Sequence, residues 1–175
     1  MGAHFGFYTL IAAIRVGPKG IVLSFGPNTY NFRVLRLNVL INRLRKAKLF
    51  KVALADRSGI AYLGIPRGRM TGENILVVEP AQAKCGEYVQ LERFDNLIEN
   101  LGISEVDVVK IDVEDSEYLV LEGFGEYLNR CKHIILEIHP EKIIKLRTNP
   151  KTLYRLLKRR GFNLHLLDSK HEWYP

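Results

Sequence analysis

The stretch VDVVKIDVEDSEYLVLEG, residues 106–123, joins an apolar, β-branched run to a pattern typical of a helix. Residues 106–113 predict a strand buried on both faces, because valine and isoleucine dominate the run. Residues 116–128 predict a helix that is interrupted near Gly123 and Gly125. Asp112 falls at the carboxyl end of the strand, where a charge is costly unless it is paired or faces a cavity. The stretch therefore predicts an α/β unit with a polar group at the edge where such folds bind ligands.

The rest of the chain repeats this alternation of apolar runs and amphipathic segments. We predict further strands at residues 21–25, 49–55, 60–65, 74–79, 87–94, 133–140 and 162–168, and helices at 8–15, 28–44, 92–101 and 151–160. The runs between residues 60 and 94 suit a hairpin insertion or a sheet edge. This order predicts a single α/β domain over residues 1–175, with a mostly parallel, doubly wound sheet that lacks its opening strand.

Two of these helices have a predicted apolar face. The steps of three and four residues between Val34, Leu37, Ile41 and Leu44 place one face of the helix at 28–44 inward. In the basic helix at 151–160, the inward residues are predicted to be Leu153, Leu156 and Leu157.

The stretch GAHFGFYTLIAA, residues 2–13, predicts a glycine turn that opens into a helix. Gly2 and Gly6 allow the backbone to approach a ligand closely, because glycine has no Cβ and adopts positive φ readily. The helix that begins near Phe7 would present free N–H groups to a carboxylate or a phosphate. Such a turn ordinarily follows a buried strand, so we expect the given chain to be shortened at its front.

A second turn follows the predicted strand at 21–25. Nucleotide-binding sheets carry an acidic residue for the ribose hydroxyls about this far from the glycine turn. Gly26 stands there instead. Asn28 is the nearest polar side chain and could partly substitute, but we favour a role as the cap of the next helix.

Polar side chains also follow the two later core strands. Asp112 and Glu114 could position a substrate hydroxyl, orient a cofactor or bind a metal; alternatively Lys110 pairs with Asp112, and Glu114 complements a helix dipole. We favour the site for Asp112 and leave both interpretations open for Glu114. Glu137 and His139 alternate onto one face, where His139 could accept a proton near neutral pH or hydrogen-bond the turn at Pro140.

The composition restricts the partners. The formal charge is +7 and the pI about 9.5, but the basic residues are spread along helix faces without interleaved aromatics, so nucleic-acid binding is not favoured. Two cysteines far apart, Cys85 and Cys131, predict neither a disulfide nor a zinc site and suit a reducing cytoplasm. No apolar run reaches the roughly 20 residues that span a bilayer, and no signal peptide is evident.

Five segments together resemble the FkbM-type family of S-adenosylmethionine-dependent methyltransferases. They are, in order, GAHFGFYTLIAA, FGPNTYNFRVLRLNV, ALADRSGIAYL, VDVVKIDVEDSEYLVLEG and IILEIHPE, and the resemblance runs over nearly the whole chain. It implies the class I methyltransferase fold, which is Rossmann-like, and S-adenosylmethionine as the cofactor. It also implies methyl transfer to a hydroxyl of a sugar or another small molecule.

The resemblance also implies roles for individual residues. Gly2, Ala3 and Gly6 would wrap the methionine end of the cofactor, and Ala55 and Asp56 would lie beside the adenine. Asp112 would lie near the transferring methyl, and the acceptor side would be lined by Glu114, Glu117, Glu137 and His139. His139 or Asp112 would serve as the base, and the motifs demand no metal.

Three departures from the family pattern bear on activity. The opening strand with its terminal acid is absent, Gly26 replaces the acidic ribose partner, and Asp115 and Ser116 replace a glycine and an alanine. A degenerate, non-catalytic domain of the same fold is therefore one alternative. The basic charge suggests the other alternative, a nucleic-acid methyltransferase.

Overall fold

The structure is a computed structural model that describes residues 1–65, 75–77, 85–114, 116–138 and 150–165, with the backbone alone at 75–77. The helices are α1 Phe7–Arg15, α2 Thr29–Ile41, α3 Phe94–Asn100, α4 Glu117–Glu122, the 3-10 helix Gly125–Arg130 and α5 Pro150–Arg159. The strands are β1 Val22–Phe25, β2 Ala47–Phe50, β3 Ala53–Leu54, β4 Gly59–Gly64, β5 Ile75–Val77, β6 Gly86–Glu92, β7 Val106–Ile111 and β8 Cys131–Leu136.

The strands of the described residues form three sheets rather than one. β1 pairs with β2 and β7 pairs with β8, both in parallel, and the third sheet has the order β3-β6-β4-β5. The alternation of strands and helices is confirmed, but a single doubly wound sheet is not. The predicted strand at 49–55 is divided at Lys51 and Val52, so β2 and β3 join different sheets.

The segment between residues 59 and 92 is an antiparallel addition to the parallel strands. β4 is antiparallel to both β5 and β6, whereas β6 is parallel to the short β3. The predicted hairpin is therefore confirmed. Its buried side chains, Leu63, Val89 and Leu91, form a small apolar cluster with Ala53 and Ala55.

Helix α2 turns a different face inward from the one predicted. Asn31 and Leu35 are buried, whereas the side chains of Leu37 and Ile41 are 52% and 66% exposed. The prediction of an inward face through Leu37 and Ile41 was wrong, because two of the inward positions are polar. The side-chain amide of Asn38, on the same face, donates to the Phe5 carbonyl at 2.8 Å and so links α2 to the opening turn.

The main core lies between β7, α4 and the helices packed on them. Phe94 and Phe124 stack with ring centroids 4.0 Å apart, and Ile98, Ile111 and Leu128 are buried around them. In α5, Leu153 and Leu157 are buried and Leu156 is partly buried, as the sequence predicts. The predicted break between α4 and the 3-10 helix is also confirmed.

The last predicted strand, at residues 162–168, is not observed in the part of it that the structure describes. Residues 162–165 are not in a strand, and residues 166–168 lie outside the described residues. Among the described residues, no helix has the length and apolarity needed to cross a bilayer.

The amino group of Met1 is partly buried and donates to the backbone oxygen of Lys110 at 2.6 Å. Burial lowers the pKa of this amine from 8.0 to about 5, and the charge on Lys110 lowers it further than Asp112 raises it. Between these two values the unfolded chain binds a proton that the folded chain does not. The folded state is therefore penalised as the pH falls through this range.

We accordingly expect the free energy of unfolding of this chain to rise as the pH rises from about 5 to 8. The slope due to the amine is at most about 1.4 kcal/mol per pH unit. Urea denaturation at several pH values measures it. Because other groups titrate in the same range, the control is the chain acetylated at Met1, and equal pH dependence of the two chains would contradict the prediction.

Candidate functional site

A cavity of about 430 Å³ lies where the opening turn meets the carboxyl ends of β1, β3 and β7. This volume falls within the range of small-molecule sites. The residues that line it come from the opening turn and α1, from the turn before α2, from β3 and β4, and from the segment after β7: Met1, Gly2, Ala3, His4, Phe5, Phe7, Tyr8, Phe25, Gly26, Pro27, Asn28, Asn31, Val52, Ala53, Leu54, Leu63, Asp112, Val113, Glu114 and Ser116.

The opening turn is held against the ends of two strands. Ala3 N donates to Phe25 O at 2.9 Å, and Gly6 N donates to Ala3 O at 2.8 Å. Gly2 has φ +71°, and a Cβ built on it would lie 1.7 Å from the backbone oxygen of Asp112. Gly6 has φ +99° and does not line the cavity.

The two helices that begin beside the cavity differ at their amino ends. In α2, the Asn28 side chain accepts from Asn31 N at 2.8 Å, and Glu87 accepts from both the backbone N–H and the hydroxyl of Thr29. In α1, the cap residue is Gly6, and no side chain caps the helix. The first N–H groups of α1 therefore need partners from outside the helix, and its first residue, Phe7, lines the cavity.

The caps of the two helices bear on Asn28, for which the sequence suggested either a partner of the ribose or a helix cap. The side chain caps α2, as the sequence analysis favours, while the residue still lines the cavity. Gly26 lines the same wall, and a Cβ built on it would have its nearest neighbour, Ala3 N, at 3.9 Å. There is consequently room for a side chain at the position where an acidic residue is expected.

Asp112 lies in the cavity wall and is paired. Lys110 Nζ lies 3.2 Å from Asp112 Oδ2 and 2.9 Å from Glu137 Oε2. Burial lowers the pKa of Lys110, but the hydrogen bonds and the negative charges of Glu137 and Asp112 raise it. The net effect is a raised pKa, so Lys110 stays charged. The alternative pairing of Lys110 with Asp112 thus exists together with the cavity position, and Glu137 lies outside the cavity lining.

Of the other acidic residues predicted for the site, some line the cavity and others do not. Glu114 lines the cavity in a left-handed conformation, φ 48°, whereas Glu117 is fully buried in α4 and does not line it. Ala55 and Asp56 also lie outside the lining, which β3 reaches through Ala53 and Leu54 instead. His139 lies outside the described residues.

His4, within the opening turn, also lines the cavity. Its Nε2 atom is buried without a hydrogen-bond partner among the described residues, and the same holds for the hydroxyl of Ser116. Burial lowers the pKa of His4, against the opposing effect of Asp112. Its position between Gly2 and Gly6 could have indicated this, because side chains within such a turn lie beside the ligand.

The cavity therefore combines three features. Uncapped helix N–H groups favour a negative group, Asp112 and Glu114 supply carboxylates, and Val52, Leu54 and Leu63 supply an apolar wall. This arrangement suits a small molecule that carries both charged groups and an apolar ring. Among the described residues, no three His, Cys, Asp or Glu side chains are grouped for a metal ion.

Comparison with solved structures shows a likeness in fold to a methyltransferase. The chain superposes on the crystal structure of a methyltransferase FkbM from Methylobacillus flagellatus with a TM-score of 0.57 and 14% sequence identity. The match covers 90% of this chain and 35% of that one. At this identity the likeness concerns the fold alone.

Sequence comparison defines the family. The sequence profile of the methyltransferase FkbM domain matches residues 1–164, and the chain therefore belongs to the FkbM methyltransferase family. It is 24% identical to the 31-O-demethyl-FK506 methyltransferase FkbM of Streptomyces tacrolimicus and 24% identical to the methyltransferase sdnD of Sordaria araneosa, over 79% and 99% of its length. It is 26% identical to the AMB antimetabolite synthetase AmbE of Pseudomonas aeruginosa over 95% of its length.

The chain spans only part of these relatives. It covers 9% of the synthetase, 64% of the Streptomyces enzyme and 75% of the Sordaria enzyme. Members of the family generally use S-adenosylmethionine. The activity and substrate of the whole protein are taken up as proposals below.

Proposed function

We propose that this chain is a single methyltransferase domain that binds S-adenosylmethionine in the cavity and transfers the methyl group to a hydroxyl of a small molecule. A sugar or a similar polyhydroxylated compound is the acceptor class that we favour, and the cytoplasm is the compartment. The proposal rests on family membership together with one observation, the uncapped amino end of α1 beside the cavity.

The carboxylate of the cofactor's methionine part would accept hydrogen bonds from the first turn of α1. The amino end of α2 is less suited to this role, because Asn28 and Glu87 already accept from its N–H groups. Gly2 approaches the Asp112 carbonyl so closely that a Cβ at position 2 would displace the turn or the end of β7. Both features fit an anionic group held by backbone amides.

The apolar wall would hold the adenosine part. Val52, Leu54 and Leu63 line the cavity, and the aromatic residue Phe25 lines it as well. Ala55 and Asp56, which the family resemblance implies for the adenine, follow this wall directly in the chain. We propose that Ala53 and Leu54 take over part of that contact.

Bound S-adenosylmethionine supplies an electrophilic methyl group on a positively charged sulfur. The residues of the cavity would hold the acceptor hydroxyl beside this methyl group, and positioning of this kind supplies most of the acceleration. The Asp112 carboxylate would accept the proton of the acceptor hydroxyl. Glu114, Glu117, Glu137 and His139 remain proposed residues of the acceptor side.

Titration calorimetry with S-adenosylmethionine tests the proposal against its main alternative, a domain that keeps the fold but no longer binds the cofactor. We expect saturable binding, and weaker binding of adenosine, which lacks the methionine part. Absence of heat at high micromolar concentration, with a folded protein by circular dichroism, would favour the non-catalytic alternative.

Replacing Gly26 with aspartate is expected to tighten cofactor binding. The position has space for a side chain, and a carboxylate there could accept hydrogen bonds from the ribose hydroxyls. A hydrogen bond to a charged group contributes about 1.5–3 kcal/mol, which corresponds to roughly a 10- to 150-fold lower Kd. The matched control is Gly26→Asn, which adds similar bulk without charge. Unchanged affinity in the aspartate variant would mean that the ribose lies elsewhere.

A further inference from the structure

The charged residues are unevenly distributed along the chain. Residues 1–55 contain nine of the 26 Lys and Arg residues and none of the 19 Asp and Glu residues. Asp56 is the first acidic residue. The elements α1, β1, α2 and β2 therefore supply positive charge without an acidic side chain of their own. A charge asymmetry of this kind suggests a negatively charged partner.

Helix α2 has an exposed face that combines this charge with apolar side chains. Six exposed residues lie on one side of the helix, because they are spaced by steps of three and four residues. They define what we call the α2 face: Tyr30, Arg33, Arg36, Leu37, Leu40 and Ile41. Its apolar side chains are between 45% and 71% exposed. They form a row along the helix rather than single scattered residues, which is typical of an interaction surface.

The positive charge of the α2 face is not compensated within the described part of the chain. Neither Arg33 nor Arg36 forms an ion pair or a side-chain hydrogen bond with another described residue. Glu87 contacts the helix through Thr29, at its amino end. This contact lies about 17 Å along the helix axis from Leu40. The two arginines can therefore bind a negatively charged partner from outside.

We infer that the α2 face binds the surface of a membrane that contains anionic lipids, with α2 lying in the plane of the interface. Apolar residues recur from Tyr30 to Ile41, over nearly the whole helix, so contact would extend along its length. Leu40 and Ile41 would enter the boundary between headgroups and acyl chains. The arginines would pair with phosphate and carboxylate groups of the lipids.

Other occupants fit the α2 face less well. A second copy of the chain would bring two basic faces together, because a symmetric dimer uses the same surface on both copies. A single-stranded nucleic acid binds through stacking on several aromatic side chains, and Tyr30 is the one aromatic residue that defines this face. A lipid surface supplies both negative charge and an apolar layer, so it matches both kinds of side chain.

Flotation of the full chain with lipid vesicles tests the inference. One set of vesicles contains phosphatidylcholine alone, and the other contains equimolar phosphatidylcholine and phosphatidylserine. We expect binding to the anionic vesicles to be at least about tenfold tighter than to the neutral ones, and to weaken as salt is added. Absence of binding to the anionic vesicles, or equal binding to both sets, would overturn the inference.

Two pairs of variants assign the binding to the α2 face. Arg36→Glu should weaken binding to the anionic vesicles about tenfold, and its matched control is Arg155→Glu, at an exposed arginine of α5. Leu40→Gln should also weaken binding about tenfold, because less apolar surface enters the lipid. Its control is Ile60→Gln, at a side chain of β4 that is 77% exposed. Both controls should bind like the wild-type chain.

Three outcomes of the variant series would contradict the inference. The first is an equal loss of binding in a variant and its control. The second is wild-type binding by Leu40→Gln, which would indicate a purely electrostatic contact. The third is tighter binding of a single-stranded RNA than of the anionic vesicles, measured by fluorescence anisotropy and weakened by Arg36→Glu. Circular dichroism checks that each variant is folded, and none of these measurements depends on cofactor binding.

Discussion

The Gly2→Ala variant is expected to lose cofactor binding and to unfold at a lower temperature than the wild-type chain. A Cβ at this position would lie 1.7 Å from the oxygen and 2.8 Å from the carbon of the Asp112 carbonyl, so the turn or the end of β7 must move. The φ of +71° adds a backbone cost of about 1–2 kcal/mol for a non-glycine residue. Because the turn and Asp112 both line the cavity, the displacement reaches the site directly.

Calorimetric titration with S-adenosylmethionine and thermal unfolding measure the two effects. We expect at least about a tenfold increase in Kd, since a shift of one ångström at such a turn removes more than one hydrogen bond. Gly26→Ala is the matched control, because it adds the same methyl group to the same cavity where the nearest atom is 3.9 Å away. If Gly2→Ala binds the cofactor within twofold of wild type, the opening turn does not contact it.

Asp112→Asn is the second variant with a large expected effect, and it should act on methyl transfer rather than on folding. An amide cannot accept the hydroxyl proton, and loss of a general base lowers the rate by about 10²–10⁴-fold. The fold should persist, because Lys110 keeps its ion pair with Glu137 at 2.9 Å when the partner at 3.2 Å is neutralised.

Transfer is measured with the donor labelled in its methyl group and with hydroxyl compounds offered as acceptors. Asp107→Asn is the control, since this aspartate lies on β7, the strand that leads to Asp112, pairs with Lys132 at 2.7 Å and does not line the cavity. Wild-type turnover in Asp112→Asn would remove the residue from the site. A lowered melting temperature with normal turnover per folded molecule would give it a structural role alone.

Local patterns in the sequence predicted the parts of the site that belong to one segment. The turn at Gly2, the cap at Asn28 and the position of Asp112 after β7 follow from glycine conformation, capping chemistry and the end of an apolar run. Each of these depends on neighbours within a few residues. These three features could therefore be predicted from the sequence without knowledge of the tertiary packing.

The remaining features depend on contacts between distant segments. The position of His4 near Asp112 and the pairing of Lys110 with Glu137 bring together residues that are far apart in the chain. The inward face of α2 was misread because Asn31 is buried there while Leu37 is exposed. Apolar spacing alone does not reveal that an asparagine is inward when its partner lies in another element.

By itself, the sequence determined the alternation of strands and helices, the glycine turn and the membership of the FkbM methyltransferase family. These are properties of local periodicity and of motifs that lie close together in the chain. Only the tertiary structure decided that the strands of the described residues form three sheets. The physical reason is that strand pairing is set by which backbone edges come within hydrogen-bonding distance, and that depends on the packing of the whole chain.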